Sequence, residues 1–288
     1  MSTLSRPDFV RLCGWIDGMS DPTLFDLPPV RGKREVARDL AAAERAVGRS
    51  VGWPVLSGEV GYEDESSLFL IGDCRELLVG VPDDYADICI TDPPYSSRTH
   101  VNVRGNVGGS AVRRVAFDSF TVGELRELFG EVGRVTRRWV VATVDYRHAV
   151  HLEEEPPPGL RVLRVGIFCK THPMPSIRGD RPGMGWEAII FMHRVDATVT
   201  WNGGGRSGVW HSDKDFGPHP TGKPLPMLCE WVRLFSEPGD MVLDPFVGSG
   251  STLVAAKVEG RRGLGFEVDR QWAEVAAGRL GQGVLDFG

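Results

Sequence analysis

Asp92, Pro93, Pro94 and Tyr95 stand directly after the apolar run Ala86-Asp-Ile-Cys-Ile-Thr91, and their types suggest one chemistry. A carboxylate can accept a hydrogen bond from an amino group. Each proline fixes φ and offers no N–H, so its carbonyl is left to act as an acceptor. The tyrosine ring is a flat face for a planar partner. These are the parts needed to hold an exocyclic amine while it reacts. Alone, the four residues also suit an ordinary strand-ending turn.

A second set begins at Met241-Val-Leu-Asp244-Pro245-Phe246-Val247-Gly248-Ser249-Gly250-Ser251-Thr252 and runs into Leu253-Val-Ala-Ala-Lys257. This reads as a strand, a glycine-rich turn and a helix start, where backbone N–H groups point toward a ligand. No Lys precedes Ser251-Thr252, which excludes a Walker A loop, and the dinucleotide pattern G-x-G-x-x-G is absent. A purely structural strand-to-helix turn stays open. The next strand, Gly263-Leu-Gly-Phe266-Glu267-Val268-Asp269, ends in acids. An acid there is where doubly wound folds bind a ribose diol. Glu267 fits best, Asp269 competes, and a solvated strand end remains the plain reading.

Two further pieces complete the pattern: His219-Pro220-Thr221-Gly222-Lys223-Pro224, and Leu68-Phe-Leu-Ile-Gly72-Asp73-Cys74. In this order and at these spacings the five motifs resemble the S-adenosylmethionine-dependent amino-group DNA methyltransferases. The match is to the permuted beta class, in which the catalytic motif precedes the cofactor motif. The resemblance spans roughly residues 66–282.

It implies that Asp92 and the Pro93 carbonyl take both N–H bonds of the target amine, next to Pro94, with the extruded base stacked on Tyr95. It implies S-adenosyl-L-methionine as cofactor. Asp244 would meet its ammonium, and the backbone from Pro245 and Phe246 through Gly248, Ser249 and Gly250 would cradle its methionine part. Ser251 and Thr252 would add hydroxyls, Glu267 would take the ribose, Asp73 would sit near the adenine amine, and Phe246 would lie against the adenine. His219, Thr221 and Lys223 would line the same pocket. Two departures stand out: Ser251 replaces the family's usual Thr, and only about 25 residues separate the last strands from His219, which is short for a recognition domain.

To bring these motifs together the chain needs strands and helices in alternation. Apolar runs predict strands at 68–71, 87–91, 139–144, 162–169, 188–192, 241–243 and 263–268. Helical patterns fall at 121–137, 225–235, 251–258 and 270–280. The alternation predicts an α/β, doubly wound, mostly parallel seven-stranded sheet. The strands near Cys169 and Ala188, joined by a Gly/Pro-rich turn, read as an antiparallel edge hairpin. The resemblance makes this a circularly permuted Rossmann-like methyltransferase fold. Residues 1–65 read as a partly helical extension, with an Ala-rich helix at 33–47, and residues 66–288 as the catalytic domain. Segments at about 96–117 and 171–217 mix basic, Gly and aromatic residues and would face DNA. Trp201 and Trp210 suit stacking on DNA and core packing equally.

Composition bounds the rest. The net charge is −6, but residues 96–215 hold 17 Lys+Arg against 13 Asp+Glu, a basic stretch on an acidic body. Five scattered cysteines form neither a disulfide framework nor a metal set, and a cytoplasmic location suits them. No apolar run is long enough for a bilayer. The expected partner is double-stranded DNA, with a homodimer and a cognate restriction endonuclease left open. Asp at the head of the tetrapeptide favours adenine-N6 as the target. Cytosine-N4 is the alternative within the class, and a non-catalytic DNA-binding relative the alternative outside it.

Overall fold

Runs of β-branched and apolar residues that are buried on both sides build the sheet. The computed structural model describes residues 52–94, 120–171, 173, 179–212 and 222–282. Within them, β1 (Glu59–Glu63), β2 (Ser67–Ile71), β3 (Ile88–Thr91), β4 (Trp139–Val144), β5 (Leu160–Lys170), β6 (Trp186–Arg194), β7 (Val209–Ser212), β8 (Met241–Asp244) and β9 (Arg262–Glu267) join in one sheet. Its order is β1-β2-β9-β8-β3-β4-β6-β5-β7. The block from β2 to β4 is parallel throughout. Beyond it β6 is antiparallel to both β4 and β5.

Six α-helices connect or flank the strands among the described residues: α1 (Cys74–Leu77), α2 (Val122–Val135), α3 (Tyr146–Glu154), α4 (Leu225–Phe235), α5 (Ser251–Val258) and α6 (Arg270–Gly281). Their starts are written locally. Thr121 and Glu124 form a reciprocal capping box on α2, while Asp73, Asp145 and Asp269 cap α1, α3 and α6 through their carboxylates. Alternation along the strands divides the core into two layers. Cys89, Val140, Ala142 and Leu243 face α2 residues such as Leu125, Phe129 and Val132. Ile88, Ile90, Val141 and Val242 face Trp231, Val232 and Phe235 of α4 on the other side. Phe69, Leu253, Ala276 and Leu280 pack α6 against the β2 end.

All seven expected strands are present, and two more extend the sheet to nine. β1 runs antiparallel to β2 at one edge and is half-exposed, so it lacks the continuous apolar run that marks the buried strands. Gly61 lies so close to the Phe69 ring that a Cβ there would meet it at 2.1 Å, and the register shifts beside it. β7, only four residues long, pairs parallel to β5. The β5–β6 hairpin therefore lies one strand inside the edge rather than at it. α3 also goes beyond the expected helices, because its charged face obscures the buried His148, Ala149 and Leu152. Trp210 is buried against Trp231 and Phe191, and Trp201 packs on Phe235, so both indoles serve the core. The expected helix at 33–47 and loop at 96–117 lie outside the described residues. No helix among the described residues is long and apolar enough to cross a membrane.

Candidate active site

The strand order places the two motif sets side by side. From β3 the chain moves on to β4 in one direction, and from β8 it moves on to β9 in the other. β3 and β8 are hydrogen-bonded neighbours, so the switch point of the sheet lies between them. Ligands bind in the crevice beyond the carboxyl ends of strands at such a point. Asp92 follows β3 there and Asp244 ends β8. Thr91 Oγ1 donates to Asp244 Oδ1 at 2.8 Å and joins the two motifs directly.

Asp92 is held from two sides. Its Oδ1 accepts from Thr143 Oγ1 at the end of β4. Its Oδ2 accepts from Lys223 Nζ at 2.5 Å. Lys223 is buried and also meets Glu187 Oε2 at 3.2 Å, while Glu187 Oε1 holds Lys170 at 2.6 Å. Burial acts to lower the Lys223 pKa, but Asp92 and Glu187 outweigh it and raise the value, so the ammonium keeps its proton. Pro93 is buried and Pro94 half-buried behind Asp92. Tyr95, His219 and Thr221 lie outside the described residues.

The cofactor motif folds as a tight turn. Gly248 and Gly250 have φ of 51° and 85°, a region favourable to glycine, and Gly250 N–H bonds Val247 O at 2.8 Å. Asp244 is 2 % exposed. Burial pushes its carboxyl up to about 6, against the lowering effect of hydrogen bonds from Thr91, the Phe246 N–H and Thr252. Glu267, 4 % exposed, is pushed up to about 7 by burial. It accepts from Gly248 N at 2.7 Å and Asp269 N at 2.8 Å, so it anchors the turn. Pro245, Ser249, Ser251 and Thr252 are buried around it, and Phe246 is half-buried. Asp73 stands at the end of β2 as the α1 cap, its carboxylate turned to Arg75 Nη2 at 2.5 Å.

Several contributors escape sequence reading. Thr91 and Thr143 are visible only as strand-end residues. Glu187 sits in the hairpin, outside every motif. Arg279 of α6 binds Ser249 O at 2.8 Å, Ser249 Oγ at 3.0 Å and Ser251 Oγ at 2.9 Å, tying the turn down from a distant helix. Phe120 sets its ring edge-on to Phe246 at 5.7 Å, with Arg75 at 5.9 Å over the Phe120 ring. Lys223, expected to line the cofactor pocket, has its ammonium on Asp92.

Several known proteins are similar to this chain in sequence and fold. The type II methyltransferase M2.LlaDCHI of Lactococcus lactis subsp. cremoris is 26% identical over 263 residues, covering 80% of this chain and 94% of that protein. The structure of TTHA0409 from Thermus thermophilus, complexed with S-adenosyl-L-methionine, is 26% identical with a TM-score of 0.52, covering 76% of this chain and 95% of that one. The PvuII cytosine-N4-specific DNA methyltransferase shares the fold at a TM-score of 0.62 and 15% identity, covering 81% of this chain and 92% of that one. The N6/N4 DNA methylase profile matches residues 86–278. This chain belongs to that family of S-adenosylmethionine-dependent DNA methylases.

Proposed function

We propose that this methylase modifies the exocyclic N6 of an adenine at a specific site in double-stranded DNA. The observation that carries the reading is the placement of Asp92 beside Asp244 across the switch point, joined by the Thr91 hydrogen bond. Asp92 at the head of the tetrapeptide supports adenine as the target.

The described residues suit the cofactor. Asp244 and Glu267 are buried acids at the rim of the glycine turn, and among the described residues no cation pairs with either. An acid in that state gains from an incoming ammonium or hydroxyl, because each carboxylate oxygen has lone-pair capacity beyond its present bonds. Asp244 meets the amino-acid ammonium and Glu267 the ribose. The turn from Pro245 through Gly250, with Ser251 and Thr252, holds the remainder. Asp73 reaches the adenine amine only by giving up part of its contact with Arg75. When bound, S-adenosylmethionine supplies a methyl group on a cationic sulfur.

The protein's part is to position the amine. Its lone pair is delocalised into the base ring, which makes it a poor nucleophile. Asp92 and the Pro93 carbonyl accept its two N–H bonds and turn the lone pair out of the ring plane. Thr143 and Lys223 fix the carboxylate for that task. Orientation of this kind can lower a barrier by about 7–11 kcal/mol when reacting atoms are well aligned. The base leaves the duplex to reach the site, stacking on Tyr95.

Incubation of unmethylated DNA with tritium-labelled cofactor, followed by nucleoside analysis, tests the reading. Label in N6-methyladenine is expected. Label in N4-methylcytosine would move the target to the other amine, and no transfer would favour a DNA-binding relative without catalysis.

A further inference from the structure

The Asp92 carboxylate does not end its network at Lys223. Glu187, on β6, lies outside all the motifs and is 13 % exposed at its side chain. One oxygen faces Lys223 at 3.2 Å and the other holds Lys170 at 2.6 Å. Register explains how it gets there. Thr143 of β4 pairs with Ile189 of β6, and Glu187 lies two residues further along the same strand. Residues two apart share a face, and Ile189 belongs to the α4 side of the core. Thr143 and Lys223 therefore meet Asp92 at the carboxyl rim of the sheet, and Glu187 meets Lys223 there.

Resting on the adenine-N6 reading above, we propose that Glu187 is a positioning residue for methyl transfer, acting through Lys223. An ammonium has three donors, and Lys223 spends one on each carboxylate. Glu187 keeps the Lys223 ammonium shared, so that Asp92 retains acceptor strength for the substrate amine. It also sets the local charge. Asp92 and Glu187 balance the charges of Lys223 and Lys170 beside the target nitrogen, with Lys170 the more exposed of the two cations. That nitrogen gains positive charge as its bond to the methyl carbon forms, the sulfur–carbon bond breaking with its electron pair left on sulfur. The nitrogen then releases its extra proton to solvent. Without Glu187 the group carries an excess positive charge, and the buried ammonium rests more heavily on Asp92.

The test is steady-state methylation by the full chain, with Glu187→Gln compared with the unaltered protein. A drop in kcat of about tenfold or more is expected, with the Kd for cofactor and for DNA within about twofold and the melting temperature little changed. In a Lys223→Met background the same replacement should add less than about threefold, since residues acting through one contact are not additive. Equal kcat in Glu187→Gln, or losses that multiply in the double variant, would overturn the proposal. So would a weakened DNA Kd at unchanged kcat, which would make Glu187 a DNA contact. Should Glu187→Gln be unstable, Glu187→Asp restores the charge one methylene short: reduced kcat at fixed Kd supports the role, and unaltered kcat refutes it. Activity of the unaltered protein judges the adenine-N6 reading separately.

Discussion

Two buried acids give the site a pH signature of opposite sign in binding and in stability. Asp244 titrates near 6 and Glu267 near 7, both above their ordinary values because burial penalises the charged form. Between about pH 4 and 7 the native chain thus holds protons that the unfolded chain has lost. The contribution of these acids to the stability of the free protein is largest below that window and is lost as pH rises through it. Cofactor binding runs the other way. Asp244 must be ionised to attract an ammonium, so affinity should fall by up to about tenfold per pH unit below about 6 and level off above about 7. Calorimetric titration across pH, beside thermal melts of the free protein, checks both signs.

Single substitutions separate the roles at this scale. Asp92→Ala should lower turnover by on the order of 10³-fold while cofactor Kd stays nearly unchanged. Near-normal turnover would remove Asp92 from the reaction. Glu267→Ala should raise the cofactor Kd by about 10–100-fold, the loss of hydrogen bonds to a charged acceptor, with kcat at saturation much less affected. An unchanged Kd would remove the ribose role.

At the scale of elements, the glycine turn is a small device held from three sides. β8 leads into it, Glu267 at the end of β9 anchors Gly248, and Arg279 of α6 grips Ser249 and Ser251. Gly250 has φ of 85°, and a Cβ there would meet Ala276 Cβ at 3.1 Å. Gly250→Ala should therefore cost about 1–3 kcal/mol in stability through strained backbone. Arg279→Ala leaves the backbone geometry permitted but frees the turn, so cofactor Kd should rise more than the melting temperature falls. Differential scanning fluorimetry with and without cofactor distinguishes the two. The turn and its helix were legible because Gly248, Gly250 and the following Ser251-Thr252 pattern are local. Arg279 was not, because nothing in a helical Arg announces which loop it will reach.

At the scale of the whole molecule, the pairing of β1 bears on where the domain begins. β1 precedes residue 66, yet it closes the β2 edge, and Asp64 beyond it binds Lys257 of α5 at 2.6 Å. We propose that the folding unit starts at or before Glu59. A chain beginning at residue 66 should lose several kcal/mol, roughly, and expose the β2 edge to self-association. Melting temperature and light scattering measure this, and an unaltered melt would show β1 to be dispensable.

Sequence by itself determined the chemistry-bearing motifs, their order and the seven apolar strands, because turn residues, caps and buried parallel strands leave short-range signatures. Half-exposed β1 and brief β7 leave little such signature. Only the tertiary structure decided that Thr91 would touch Asp244, that Lys223 would serve Asp92, and that Glu187 would stand behind it. Those contacts depend on which strands become neighbours and in which register. That choice is made by burial across the whole sheet, not by any stretch of residues along the chain.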